Sequence, residues 1–166
     1  MTALPLEQKR IAVLLAEVGA DRMALAGHAT HVRTALASAP WQPGDPLLSV
    51  VAVALHHYYG GAEAIFERIA KAFEGAPDRG PRWHADLLER MALDLPRVRP
   101  AVIGREAHTA LVELLGFRHF FRHAYAVAFH PAKLERRALD LAVADAALAR
   151  DLDRFLAIVA EALASA

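Results

Sequence analysis

The sequence predicts an all-α protein, an antiparallel helical bundle of about five helices, and three observations carry that prediction. Apolar residues make up 55% of the 166-residue chain, with Ala and Leu prominent, a composition that favours helix over sheet. No run of alternating β-branched residues and no Asn-Gly hairpin turn interrupts it. Pro and Gly gather in clusters that divide the chain into helical blocks with short links, as in helices folded back on one another.

The first block opens near Pro5, a good first-turn residue, and places Ile11, Leu14, Leu15, Val18, Met23 and Leu25 at helical spacing. It can run as far as Ser38, with Gly19 and Gly27 as weak points. After the loop APWQPGDP (39–46), Asp45 as N-cap and Pro46 mark the start of a second helix. That helix carries Leu47, Val51, Leu55, Tyr58, Phe66, Ile69 and Phe73 and stops at Gly75. The loop GAPDRGPR (75–82) leads into a short amphipathic helix, WHADLLERMAL (83–93). The segment 95–104 is too rich in proline for helix. A fourth helix is expected from Arg105 to Ala128, and Pro131 opens a final block to about Leu163, with a possible break near Val143–Asp145. The whole fits a single domain, residues 1–166, long enough to bury a core.

Composition narrows the function. Lys plus Arg and Asp plus Glu both number 19, so a nucleic-acid contact would need a local patch. The absence of cysteine removes disulfides, thiolate nucleophiles and Cys-type zinc sites, and fits a reducing compartment. The longest apolar run, 47–55, is too short to span a bilayer, and Glu7, Glu17 and Asp21 break up any signal-peptide core. A cytoplasmic protein without membrane contact is the expectation.

The informative stretch is GFRHFFRHAYAV (116–127). At about 100° per residue, with Arg118 at zero, Tyr125 falls near 340°, Arg122 near 40°, His119 near 100° and His123 near 140°. Phe117, Phe120, Phe121, Ala124 and Ala128 share the complementary arc, so the phenylalanines form the expected buried stripe. A solvating face normally mixes charge signs, yet no acid occurs from Gly116 to Ala132. Between Arg118 and Arg137, five Lys or Arg face one acid, Glu135, a patch suited to phosphate.

Histidine accepts and donates protons near neutrality, and arginine offers a permanently charged planar fork to phosphate oxygens. Together they can cleave RNA without metal, because the attacking 2′-hydroxyl is already on the substrate. One acid–base group per protomer is thin for this, and a symmetric dimer would supply a second His and Arg. His119 and His123, four apart, have a spacing that can chelate metal, but no Glu sits between them and no third ligand is obvious in sequence, with His130 and His56 or His57 the ones that folding could bring near, and no metal site is expected. Among His56, His57, Tyr58 and Tyr59 the plainer reading is core packing, with Gly60 and Gly61 allowing close helix approach. The functional reading makes His56, Tyr59 and Glu63 a second wall of an RNA cleft. His84 reads as a packing residue at a helix start, and His28, His31 and His108 as surface residues.

The run from Arg118 to Tyr125 resembles the R-x4-H-x-Y signature of the HEPN superfamily, and specifically of HepT-like ribonuclease toxins. The likeness extends to residues 55–75, 83–93 and 99–103 in order and spacing, and covers roughly residues 45 to 164. It implies a HEPN-type bundle, a homodimer with two motif helices lining a shared cleft, and metal-independent endoribonuclease activity needing no cofactor. It further implies Arg118 and His123 as the catalytic pair, with His119 in support; Arg122, beside Arg118 on the wheel, joins them as an RNA-binding candidate. The partner it implies is an MNT-type nucleotidyltransferase antitoxin that can transfer AMP to the motif tyrosine, here Tyr125. The alternative is a non-catalytic HEPN module that binds a nucleotide or a nucleotidyltransferase partner.

Overall fold

The computed structural model describes residues 5–123 and 128–165, and within them the chain forms five helices. These are α1 (Leu6–Leu36), α2 (Leu47–Phe73), α3 (Trp83–Met91), α4 (Arg105–His123) and α5 (Pro131–Ala164). The architecture is the expected all-α bundle, and among the described residues the only β pairing is an isolated bridge between Leu95 and Arg99. No described helix is long and apolar enough to cross a membrane.

Helix α2 is the central element and packs against each of the other four. It has apolar residues on more than one side: Leu55, Tyr58, Ile65, Phe66 and Ile69 are all buried. One continuous cluster of buried side chains joins α2 to Val18 and Val32 of α1, Leu88 and Met91 of α3, Leu111 and Leu114 of α4, and Leu141 and Phe155 of α5. Each large apolar side chain so buried contributes about 1.5–3 kcal/mol relative to exposure.

Several local expectations are corrected. Gly19 and Gly27 do not interrupt α1; nothing lies within 4 Å of a Cβ built at either, so both sit on open surface. Met23, placed on the apolar stripe, is exposed. Of the two glycines in α2, only Gly61 permits a close approach, since a Cβ there would meet Leu25 Cδ2 at 3.0 Å. Helix α5 runs unbroken through Val143–Asp145, because Asp145 finds partners across the bundle: Arg33 Nη1 at 2.7 Å and the Tyr58 hydroxyl, which donates at 3.2 Å. Ala128 lies outside any helix, and α4 is described only as far as His123.

The start of α2 follows the sequence signal. The Asp45 carboxylate accepts a hydrogen bond from Leu47 N–H at 2.8 Å. The loop before it is pinned by Trp41, whose indole N–H donates to Ala35 O at 3.1 Å and whose backbone N–H donates to Glu135 Oε1 at 2.6 Å.

The proline-rich segment holds α3 in place through Arg99, whose side chain is fully buried. Its guanidinium donates to Glu74 Oε1 at 2.7 Å, to the carbonyls of Leu93 and Pro100 at 3.2 and 3.1 Å, and to Arg90 O at 2.9 Å. These bonds fasten the ends of α2 and α3 together. Val102 N–H adds a bond to Met91 O at 2.9 Å. At the start of α4, the buried carboxylate of Asp151 on α5 accepts from Gly104 N–H at 2.7 Å. A Cβ at Gly104 would sit 3.3 Å from that oxygen, so a larger residue there would press the carboxylate back by a few tenths of an ångström.

Candidate active site

The residues with acid–base and anion-binding capacity meet where α4 crosses α2 and α3. Arg118 comes from α4, Tyr59 and Glu63 from α2, and His84 from the first turn of α3. Glu63 is 5% exposed and holds two partners on its two oxygens. His84 Nδ1 lies 2.5 Å from Oε2, and Arg118 Nη2 lies 3.3 Å from Oε1. Arg118 Nη1 is 3.3 Å from His84 Nε2, which closes a ring of carboxylate, imidazole and guanidinium. A carboxylate cannot donate, so the proton between it and the imidazole belongs to His84 Nδ1. His84 Nε2 is then the acceptor for Arg118.

This corrects the wheel in one respect. Arg118 does not look outward with His119 and His123; its side chain is 12% exposed and turns into the notch between α2 and α3. The buried Glu63 carboxylate draws it there, because an unpaired charge at that depth would be far costlier than the pair. The Tyr59 ring, 6.0 Å from the guanidinium carbon, forms one wall of the notch. At 1% exposure it is a packing surface, and burial together with the Glu63 charge pushes its phenol well above the usual range.

Past Arg118 the helix surfaces. His119, Arg122 and His123 are exposed, and the His119 ring meets His84 edge-on at 5.8 Å. His56, half-buried on α2, stacks on Phe121 at 4.8 Å. Thus His56, Tyr59 and Glu63 do face the motif helix, Glu63 and Tyr59 around Arg118 and His56 one turn further on. Tyr125 lies outside the described residues. Two buried polar atoms without a partner among the described residues belong to this region, Arg118 Nε and His56 Nδ1.

The aromatic stripe is narrower than expected. Phe117 is buried and Phe121 partly so, but Phe120 is 47% exposed. A groove of about 910 Å³, lined by Val112, Gly116, Phe120, Phe129 and Leu134 among others, separates it from the start of α5. Among the described residues Phe120 has the Phe117 ring at 6.2 Å on one side, and the groove leaves its other side open.

The basic patch is also smaller than its sequence count. Arg137 pairs with Glu113 and with Asp140 at 3.2 Å, and Arg136 with Asp140 at 3.5 Å. Those acids lie outside the counted window and come back through the fold. Arg122 and Lys133 have no carboxylate partner among the described residues.

His84, read as packing, is the residue sequence reasoning missed. A signal existed on the other helix. Glu63 falls with Tyr59 and Phe66 on the buried stripe of α2, and a carboxylate there demands a buried partner. His28 and His31, expected as unclustered surface residues, line one pocket with His57, which was expected to pack in the core but is exposed and stacks on His28 at 5.5 Å. No set of three or more His, Asp or Glu among the described residues is disposed to hold a metal ion.

Burial and neighbouring basic groups lower three histidines. For His119 desolvation acts first, then His84, Arg118, Arg122 and His123; for His56 desolvation, then Arg118, His57 and Arg122; for His28 desolvation, then His57 and His31. Each is lower in the folded chain than in the unfolded one, so the unfolded chain takes up these protons first as pH falls. The stability they confer is complete above the ordinary histidine value of about 6.5 and drains away below it. The melting temperature is therefore expected to drop from neutral pH toward pH ~5.5, and to drop less in the triple variant H28Q/H56Q/H119Q. A melting temperature as acid-sensitive in the triple variant as in the parent would contradict this.

Comparison with known proteins places the chain in a wider context. A family model described as HepT-like protein matches residues 50–159, which takes in α3, α4 and nearly all of α2 and α5. Over 88 residues the chain is 35% identical to the GMP synthase (glutamine-hydrolyzing) of Wolinella succinogenes, covering 49% of this chain and 15% of that protein. The chain thus spans less than a sixth of that relative's length. No solved structure matches it.

Proposed function

Because the chain belongs to the HepT-like family of HEPN-type helical bundles, we propose that it is a metal-independent endoribonuclease toxin that cleaves RNA with Arg118 and His123. The observation that carries this reading is the guanidinium of Arg118, fixed between Glu63 and His84 on the same helix as the exposed imidazoles of His119 and His123. His123 lies less than a turn and a half beyond Arg118.

In this reading the 2′-hydroxyl of the substrate attacks the adjacent phosphorus and the bond to the 5′-oxygen breaks. His123 removes the hydroxyl proton, and Arg118 stabilises the charge gathering on the non-bridging oxygens. The products are a 2′,3′-cyclic phosphate and a free 5′-hydroxyl. Protonating the leaving oxygen calls for a second acid. A homodimer with two α4 helices about one cleft supplies it from a second copy's His123. Arg122, His119 and His56 then contact the RNA backbone and bases along the α2–α4 rim.

The test is incubation of RNA with the purified protein in EDTA, which should leave cyclic-phosphate ends. Loss of cleavage in EDTA would contradict metal independence. An inert wild-type protein on every RNA tried would favour the non-catalytic module that binds a nucleotide or a nucleotidyltransferase.

The off-switch belongs to the same reading. An MNT-type nucleotidyltransferase antitoxin transfers the α-phosphate of ATP, with its adenosine, to the phenol oxygen of Tyr125, and pyrophosphate leaves. The added phosphodiester carries negative charge two residues from His123 and competes with RNA for the cationic face. Intact mass of the protein co-expressed with that partner should increase by whole AMP units, and the increase should vanish in Tyr125→Phe. Inhibition without any mass change would remove the modification from the scheme. The toxin would act in the cytoplasm, as a single domain.

A further inference from the structure

We propose that His84 is a positioning residue for Arg118: oriented by Glu63, its imidazole accepts a hydrogen bond from the guanidinium and fixes the fork that receives a phosphodiester. The inference rests on the reading of Arg118 as the phosphate-binding arginine, and deepens it with a residue on a different helix.

The geometry defines what His84 does. Its Nδ1–H is committed to Glu63 Oε2 at 2.5 Å, which leaves the Nε2 lone pair aimed at Arg118 Nη1 at 3.3 Å. Glu63 takes Nη2 with its other oxygen at 3.3 Å. One guanidinium thereby rests on two acceptors that are tied to each other, so its plane as well as its position is set. Five N–H groups belong to a guanidinium, and two are used here, so three remain. The one on Nε is itself buried and without a partner among the described residues, which leaves one on each of Nη1 and Nη2 for a phosphate. Glu63 alone would neutralise Arg118 without fixing its plane; the second acceptor does that.

The position of His84 is itself enforced. Its side chain is 11% exposed, and its ring lies 3.9 Å from the Trp83 ring, over which the Arg79 guanidinium rests at 4.6 Å. The other end of α3 is fastened to α2 by Arg99. The imidazole can thus act as a rigid strut, and a fork held in its reactive orientation before substrate arrives loses less entropy on binding.

The experiment compares wild type with His84→Ala and His84→Gln in RNA cleavage, with thermal melting as the check on folding. Glutamine can donate to Glu63 and accept from Arg118 but cannot carry a proton through the reaction. A positioning role predicts a fall in kcat of tenfold or more in H84A with KM changed by no more than about threefold, and H84Q within about threefold of wild type. Wild-type kcat in H84A would overturn the proposal. So would an H84Q as inactive as H84A while still folded, because the imidazole would then be transferring protons. Nitrogen NMR of His84 in the wild-type protein provides a readout independent of cleavage. The Nδ1–H tautomer is expected, with an exchange-protected Arg118 Nε–H signal that broadens in H84Q less than in H84A. An Nε2–H tautomer would overturn the proposal even if the RNA assay succeeds. If the wild-type protein cuts no RNA, the functional reading falls, and these signals still decide whether His84 positions Arg118.

Discussion

Alanine at His123 is expected to lower RNA cleavage by about 10²–10⁴-fold while leaving the melting temperature within a few degrees of wild type. His123 is exposed on the last described turn of α4, so its removal opens no cavity and breaks no ion pair among the described residues. On the proposed mechanism its one large effect is then on proton transfer. Arg118→Ala is expected to match that loss through another route, with removal of charge stabilisation worth about 10²–10³-fold. It should also destabilise the fold, since Glu63 would be left buried with His84 as its one remaining partner. The two variants therefore separate chemistry from structure. Arg118→Lys keeps the charge but loses the planar fork, and should recover stability more fully than activity. Single-turnover cleavage and thermal melting on the same preparations check all three. Unchanged cleavage in H123A would remove His123 from the mechanism.

Arg99→Ala should give the largest loss of stability, about 3–5 kcal/mol, without touching any proposed catalytic group. The substitution strands the carbonyls of Leu93 and Pro100, leaves Arg90 O with the Leu93 N–H at 3.2 Å, and leaves Glu74, 6% exposed, with Arg90 alone. For a domain of this size each kcal/mol corresponds to about 2–4 °C, so the melting temperature should fall by roughly 6–20 °C. Arg99→Lys should recover only part of this, because an ammonium cannot span four acceptors set around a planar guanidinium. A loss below ~1 kcal/mol in chemical denaturation would show that the staple is not needed. Arg99 also fastens α3 against α2, so the remaining folded R99A should hold His84 less firmly and cleave more slowly.

The helices were readable because their signals are local. Asp45 followed by Pro46, the proline at 131 and the glycine at 75 act on the backbone within a turn or two, whatever lies across the bundle. The exceptions arose where a local signal was answered by a distant group. Asp145 suggested a break in α5, but Arg33 and Tyr58 satisfy it across the bundle. Phe120 belonged to an apolar arc, but exposure depends on whether a neighbour covers that arc, and the α4–α5 groove leaves it open. The five-to-one charge count failed likewise, because Glu113 and Asp140 sit one helical turn outside the counted window or on the facing helix.

For the site the division is sharper. The sequence by itself determined the fold class, the helix that carries Arg118, His119, Arg122 and His123, and the family to which that run belongs. Periodicity and motif spacing are properties of contiguous residues, and they survive without knowledge of the packing. Only the tertiary structure decided that Arg118 turns inward, that Glu63 and His84 are what it turns toward, and that α3 is held there by Arg99. Glu63, His84 and Arg118 are 21 to 55 positions apart in the chain. Their meeting follows from a buried carboxylate that must be paired, and helix packing alone selects which donors come within reach.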